Sequence, residues 1–275
     1  MMLGIRRRNY DYDISRHTKQ WPSYAEFLDL ESWQDIEDSG VRDILIQRSE
    51  FDPVYHPSLL KSMKQSWIGM ELVRENHSQS WQDWFVLTAL NGKTQGHWLE
   101  LGASDPVYMN NTYLLESQFG WSGISIDKRD GLIDEWNDTR ITDLQLIDVL
   151  TADWVAVLRN SPQQIDYLQA DLADWTTLDT LEKLPHDRHR FSVITFEHDI
   201  FQADPAIQRN SRAFLDSLGY HLLIANVAVK NYATNTWEAF EDWWIDPSAV
   251  DPDTLKSIQD RSTAIKLPHE IFLQS

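Results

Sequence analysis

The 275-residue chain contains no cysteine. Disulfide staples, thiolate zinc sites, iron–sulfur clusters and a cysteine nucleophile are therefore excluded together. Basic residues are scarce: 24 Lys and Arg face 43 Asp and Glu, for a net charge of −19. Phosphate recognition needs Lys and Arg gathered on one face, so this balance predicts no nucleic-acid partner. Long apolar runs are missing too. Tyr220 to Val229, with His221 and Asn226 embedded in it, falls well short of the roughly 20 residues of a membrane span, which predicts no membrane partner. Arg6-Arg7-Arg8 follows a stub of apolar residues, unlike a secretory signal. A soluble, acidic, cytoplasmic protein with a sizeable core is expected. Tryptophan, by contrast, is abundant at 13 residues, and composition alone does not explain it.

The chain reads as two parts, a helical extension over 1–76 and a larger domain over 77–275. Residues 1–95 carry 11 basic and 14 acidic residues, and residues 96–275 carry 13 and 29. Tyr24, Phe27, Leu28, Leu30, Trp33 and Ile36 are spaced for one amphipathic helix. Leu59 to Val73 and Trp81 to Leu90 read as two more. From residue 97 strands alternate with helices. The strands are His97–Leu101, Gly123–Asp127, Asp143–Val149, Ile165–Ala170, Phe191–Phe196 and Tyr220–Val229. The intervening helices include Thr112–Phe119, Gly131–Asn137, Ala152–Leu158, Thr177–Leu184 and one opened by Pro205. This alternation predicts an open, mainly parallel, doubly wound sheet. Its ligand is expected beyond the carboxyl ends of the strands, where strand order reverses.

Those ends are acidic. The first strand runs Glu100-Leu101-Gly102-Ala103-Ser104-Asp105-Pro106, the second stops at Asp127, the third at Asp148, the fourth at Asp171, and the fifth at Glu197-His198-Asp199. The glycine turn lacks the G-x-G-x-x-G pattern of a pyrophosphate cradle. An acid at the tip of the second strand suits bidentate hydrogen bonding to ribose hydroxyls. A ligand with ribose hydroxyls and a cation but no phosphate fits best, and S-adenosylmethionine has those features. No metal site is read from the scattered histidines. Trp237, Trp243 and Trp244 near Asp242 suggest aromatic faces for a sugar, or simply core packing.

Several stretches in order resemble the FkbM-type family of S-adenosylmethionine-dependent methyltransferases. They are Trp81-Gln82-Asp83 with Leu90-Asn91-Gly92-Lys93, Leu99 to Asp105, Asn111 to Glu116 with Phe119 to Gly123, Ile165 to Asp171, Phe191 to His198, and Phe240 to Trp244. The resemblance implies a Rossmann-like methyltransferase sheet, with S-adenosylmethionine donating a methyl to a hydroxyl on a sugar or small metabolite. Glu100 and Gly102 are expected near the methionine part, Ser104 and Asp105 among the cofactor-binding residues of the same loop, Asp127 on the ribose, and Asp148 with Val149 by the adenine. His198, Asp199 and Asp171 are the candidates for the base that takes the hydroxyl proton. The expected partner is a small-molecule or carbohydrate acceptor, and a homo-oligomer built through the N-terminal helices stays open. Two departures, Pro106 after Asp105 and Ala173 after Asp171-Leu172, support the alternative of a non-catalytic binding or scaffold module.

Overall fold

The computed structural model describes residues 62–73, 76–172, 175–231 and 236–274. The helix expected over Tyr24–Ile36 and the departure at Ala173 lie outside them. Seven strands form one sheet in the order β3-β2-β1-β4-β5-β7-β6. They are β1 (His97–Leu101), β2 (Ser122–Asp127), β3 (Leu144–Leu146), β4 (Gln164–Ala170), β5 (Arg190–Glu197), β6 (His221–Asn231) and β7 (Thr236–Ile245). The first five strands pair in parallel, and β7 inserts antiparallel between β5 and β6. The helices are α1 (Gln82–Ala89), α2 (Tyr113–Phe119), α3 (Ile133–Thr139), α4 (Trp154–Val157), α5 (Trp175–Lys183), α6 (Pro205–Ser217) and α7 (Pro268–Phe272).

Strands covered on both faces need apolar side chains at nearly every position, and these have them. Trp98 and Leu99 on β1 align with Tyr167 and Leu168 on β4, which align with Val193 and Ile194 on β5. The pleat sends alternate residues to opposite faces. Trp98, Tyr167 and Val193 join a core with Trp81, Trp84, Phe85, Trp243 and Phe272. Leu99, Leu168 and Ile194 join a second core with Phe191, Phe196, Leu215 and Trp244. Much of the tryptophan excess is packing: Trp67 meets Trp84 edge-on at 5.3 Å, and Phe85 stacks on Trp243 at 4.5 Å.

Three elements differ from the sequence expectation. Within the helix expected over Leu59–Val73, residues 62–73 form only a 3-10 turn at Met70–Leu72. Met63 bridges Leu273, and Gly69 at φ 87° breaks any helix there. Gly92 explains part of this, because a Cβ on it would meet the Ile68 carbonyl at 1.9 Å. Backbone packed against backbone has replaced a helical face. β3 stops at Leu146, so Asp148 lies two residues past its end rather than on it. The Phe240–Trp244 block is the antiparallel strand β7, a pairing that strand periodicity alone does not reveal.

Candidate functional site

Strand order reverses between β1 and β4, and a crevice opens there. Its volume is about 150 Å³, and its walls include Glu100 and Gly102 after β1, Gln169 and Asp171 at β4, and the loop Ala103–Asn111. Gln79 closes one side. Gly102 is required here by two facts. Its φ is +82°, and a Cβ would meet the Asp171 carbonyl at 1.8 Å. The glycine therefore lets the two strand ends touch.

Glu100 points into a network of donors. Ser125 Oγ donates to it at 2.6 Å and Thr112 Oγ1 at 3.0 Å. Burial nevertheless pushes its carboxyl up to about 7, against the pull of the Arg140 guanidinium and these hydroxyls. Arg140 is itself fully buried and pairs with Glu116 at 2.6 Å. It also donates to the Pro106 carbonyl, to Asn110 Oδ1 and to Thr112 Oγ1. The 105–112 loop is thus clamped from behind. Asp105 is spent within the loop, its Oδ1 accepting from the N–H groups of Val107 and Tyr108. Asn110 Oδ1 accepts from the N–H groups of Thr112 and Tyr113 at the start of α2, so it works as a cap.

Asp127 sits beside the crevice and is fully engaged. Ser104 N–H and Arg129 Nη2 donate to Oδ2, and Arg129 N–H and Nε donate to Oδ1. Burial works against its ionisation, but these donors outweigh it and hold the carboxyl at about 2. A carboxylate has about four acceptor positions, so no place is left for a ribose while Arg129 stays. The Arg129 side chain is 54 % exposed and is held in that pose by Asp127.

The structure brings Glu100, Gly102, Ser104, Asp105 and Asp171 onto one crevice, with Asp127 one hydrogen bond away through Ser104. Asp148 is exposed and accepts from Leu150 N–H, while Val149 is buried in the second core. His198 is fully buried. Its Nδ1 accepts from Ile200 N–H, and its Nε2 lies 3.0 Å from the Gln208 amide and 3.6 Å from Asp242. Asp199 is half-buried just past β5 and accepts from Gln202 Nε2 at 3.0 Å. Trp243 and Trp244 are 0 % and 2 % exposed, so core packing, not sugar stacking, is their role. Asp242, which precedes them, is held by a forked pair from Arg212 at 2.7 and 2.8 Å.

Sequence reasoning missed Gln79, Tyr108, Met109 and Gln169 on the crevice wall. Only Gln169 had a signal, as the penultimate residue of a clear strand. Gln79 is placed by Asp83, which accepts from the N–H groups of His77 and Ser78 and from Ser78 Oγ. Asn111, next to the Asn110 cap, also lies on that wall. Its Oδ1 is buried at the crevice wall and makes no hydrogen bond.

No family model matches the chain, so the FkbM resemblance rests on the quoted stretches alone. No curated protein matches it either. Solved structures similar to it include an rRNA methylase from Streptococcus thermophilus, at 13 % identity and TM-score 0.38, covering 60 % of this chain and 93 % of that one. An S-adenosylmethionine-dependent O-methyltransferase from Thermotoga maritima matches at 10 % and 0.40, covering 63 % and 67 %. Aeropyrum pernix fibrillarin with natively bound S-adenosylmethionine matches at 11 % and 0.38, covering 56 % and 67 %. The chain's own strand order is that of the expected Rossmann-like, doubly wound, mainly parallel sheet. A likeness this remote lends it no substrate. One expectation is corrected: with an rRNA methylase among these structures, overall acidity gives no ground for excluding nucleic acid. Net charge is a sum over the whole chain and does not set the charge of one face. Among the described residues no helix is long and apolar enough to cross a membrane.

Proposed function

We propose that this chain is an S-adenosylmethionine-dependent methyltransferase that methylates a hydroxyl on a sugar or small metabolite, as the FkbM resemblance implies. One observation carries the reading. The switch-point crevice is walled by Glu100 and Asp171, adjoined by Asp127, and among the described residues has no Lys or Arg in its lining. That set of carboxyl acceptors fits a ligand with a positive charge and hydroxyls, and disfavours a diphosphate. The orphaned Asn111 Oδ1 adds an acceptor for an N–H or O–H of the ligand. The crevice is smaller than the roughly 300–1,000 Å³ usual for a complete ligand pocket, so side chains must move, and exposed Met109 and Arg129 are suited to it.

When bound, S-adenosylmethionine supplies an electrophilic methyl: the acceptor's O–C bond forms as the S–C bond breaks and its electron pair stays on sulfur. The chain's own work is then to orient the reactants and take one proton. Alignment is worth roughly 7–11 kcal/mol in effective-molarity terms. Asp171, which lines the crevice, is the base in this reading. Glu100 is reserved for the ligand's cationic end and Asp127 for its ribose.

A second reading, the non-catalytic binding module, is favoured by one observation. Arg129 fills the very carboxylate the cofactor would need. A crystal structure with S-adenosylhomocysteine separates the two. The enzyme reading expects ribose hydroxyls on Asp127 and Arg129 turned away. A crevice that stays empty at saturating S-adenosylhomocysteine, with the Arg129–Asp127 fork intact, contradicts it.

A further inference from the structure

Two loops meet over the crevice, and each brings one carboxamide to it. One is the turn before α1, the other the loop before α2. Both helices pack on the same face of the sheet, Trp84 and Phe85 of α1 joining one core with Leu114, Leu115 and Phe119 of α2. Their leading loops touch directly, the rings of His77 and Tyr113 meeting edge-on at 4.6 Å. Gln79 lies two residues after His77, Asn111 lies two before Tyr113, and both line the crevice of about 150 Å³. The turn is firmly held. Asp83 accepts from the N–H groups of His77 and Ser78. Ser80 N–H donates to Gln82 Oε1 at 2.7 Å, Gln82 Nε2 donates to Glu241 on β7 at 3.0 Å, and Ser80 Oγ donates to the Ala228 carbonyl on β6 at 3.0 Å. Those ties run toward the β4 side of the crevice, where Asp171 stands, and away from β2 and Asp127. On the other loop two adjacent asparagines divide their work. Asn110 is consumed by structure: its Nδ2 donates to the carbonyls of Ala103 and Asp105, and its Oδ1 accepts from the N–H groups of Thr112 and Tyr113. Asn111, 6 % exposed, leaves Oδ1 without a partner. A buried amide oxygen without a donor is costly, and a ligand hydroxyl or N–H removes that cost.

We propose that Gln79 and Asn111 form the subsite of the methyl acceptor and hold a neutral sugar through two neighbouring hydroxyls. The role rests on the methyl-transfer reading of the crevice. In that reading the cofactor's cation meets Glu100 and its ribose meets Asp127, which leaves the amide pair to the second ligand. Charge narrows the class of that ligand. The crevice is lined by the acids Glu100, Asp105 and Asp171, which repel an anionic acceptor. His77 supplies no balancing cation, since burial, helped by the Arg140 charge, holds its imidazole down at about 4. Each carboxamide offers an oxygen acceptor and two N–H donors, and a hydroxyl both donates and accepts. One of two neighbouring hydroxyls thus satisfies Asn111 Oδ1 while the other takes an N–H from Gln79. Tyr108 and Met109 add apolar surface to the same wall for the C–H face of a sugar ring. A hydroxyl held there lies in the crevice that Asp171, its base, also lines.

The test is saturation-transfer NMR on the full chain, with and without S-adenosylhomocysteine, using the methyl glycosides of glucose, galactose and mannose as probes. At least one glycoside is expected to give a saturable signal with the wild type. Gln79→Ala and Asn111→Ala should each weaken its affinity roughly threefold to tenfold, the range for one lost hydrogen bond. Calorimetry on the same variants should find the S-adenosylhomocysteine affinity unchanged. Gln79 is half-buried at the tip of its turn, so Gln79→Ala decides the matter if Asn111→Ala fails to fold. Three results overturn the inference: no signal from any of the glycosides, a signal that either folded variant leaves unmoved, or a lost cofactor affinity with the glycoside signal intact. Wild-type calorimetry separates the underlying reading. Glycoside signals that depend on the amides in a chain that binds no S-adenosylhomocysteine overturn the methyl-transfer role. Cofactor binding without any glycoside signal overturns the subsite alone.

Discussion

Four donors converge on Asp127, two of them from an arginine side chain two residues away. That saturation has an unusual consequence for binding. A ribose must displace the guanidinium, so removing it should help. Because the Arg129 side chain is 54 % exposed, its pair is worth only about 0.2–1 kcal/mol after solvent screening, which is up to about fivefold in affinity. Arg129→Ala is therefore expected to tighten S-adenosylhomocysteine binding by up to about fivefold, read by calorimetric titration. Asp127→Asn should abolish it, since the amide presents donors where the ribose hydroxyls need acceptors. A weaker Arg129→Ala complex would mean that the guanidinium holds the ligand and does not block it.

The elements around the crevice are held by polar ties that have no periodicity. Arg140, after α3, pins the loop before α2 by pairing with Glu116 and bonding the Pro106 carbonyl. Its side chain is fully buried, with the Trp136 ring 4.6 Å away. Removing one partner of such a pair leaves the other charged and dry, at a cost of about 3–5 kcal/mol. Arg140→Ala should lose about that much stability in urea unfolding, and should loosen the crevice wall. Elements with a strong apolar pattern were legible from sequence: β1, β4 and β5, the glycine stop after β1, and the acids at their ends. Those acids mark the crevice because a parallel sheet puts successive strand ends side by side. The short edge strand β3 was over-extended, since the stretch from Asp143 to Val149 alternates past the last ladder bond at Leu146. The antiparallel β7 was not legible as a strand partner, because its pairing with β5 and β6 is a long-range fact. Residues 62–73 were misread because their apolar spacing serves packing on α1, with Trp67 against Trp84.

Across the whole molecule the acids fall into two opposed groups. Burial raises Asp83 to about 6, Glu100 to about 7 and Glu241 to about 8. These bind protons more tightly when folded, so their contribution is full below their unfolded values near 4 and is lost as pH rises toward 8. Asp127 and Asp242 go the other way: burial opposes ionisation, yet Arg129 and Arg212 hold them at about 2. Their contribution is present above the unfolded value near 4 and is lost as pH falls toward 2. Melting temperature should therefore peak between about pH 4 and 6 and fall by pH 8. A melting temperature that climbs from pH 5 to 8 would contradict this assignment of buried protons. The aromatic core sets the overall scale of stability. Trp84 is 0 % exposed, and truncating it to Ala should cost about 3–5 kcal/mol in denaturant unfolding.

The acidity that first suggested exclusion of nucleic acid is instead the feature that defines the crevice. Its reading as a sulfonium-cofactor site is tested most directly by titrating the full chain with S-adenosylhomocysteine in a calorimeter, wild type beside Asp127→Asn. The account predicts saturable binding heat for the wild type and none for the variant. No heat from the wild type, or equal heat from both, would contradict it.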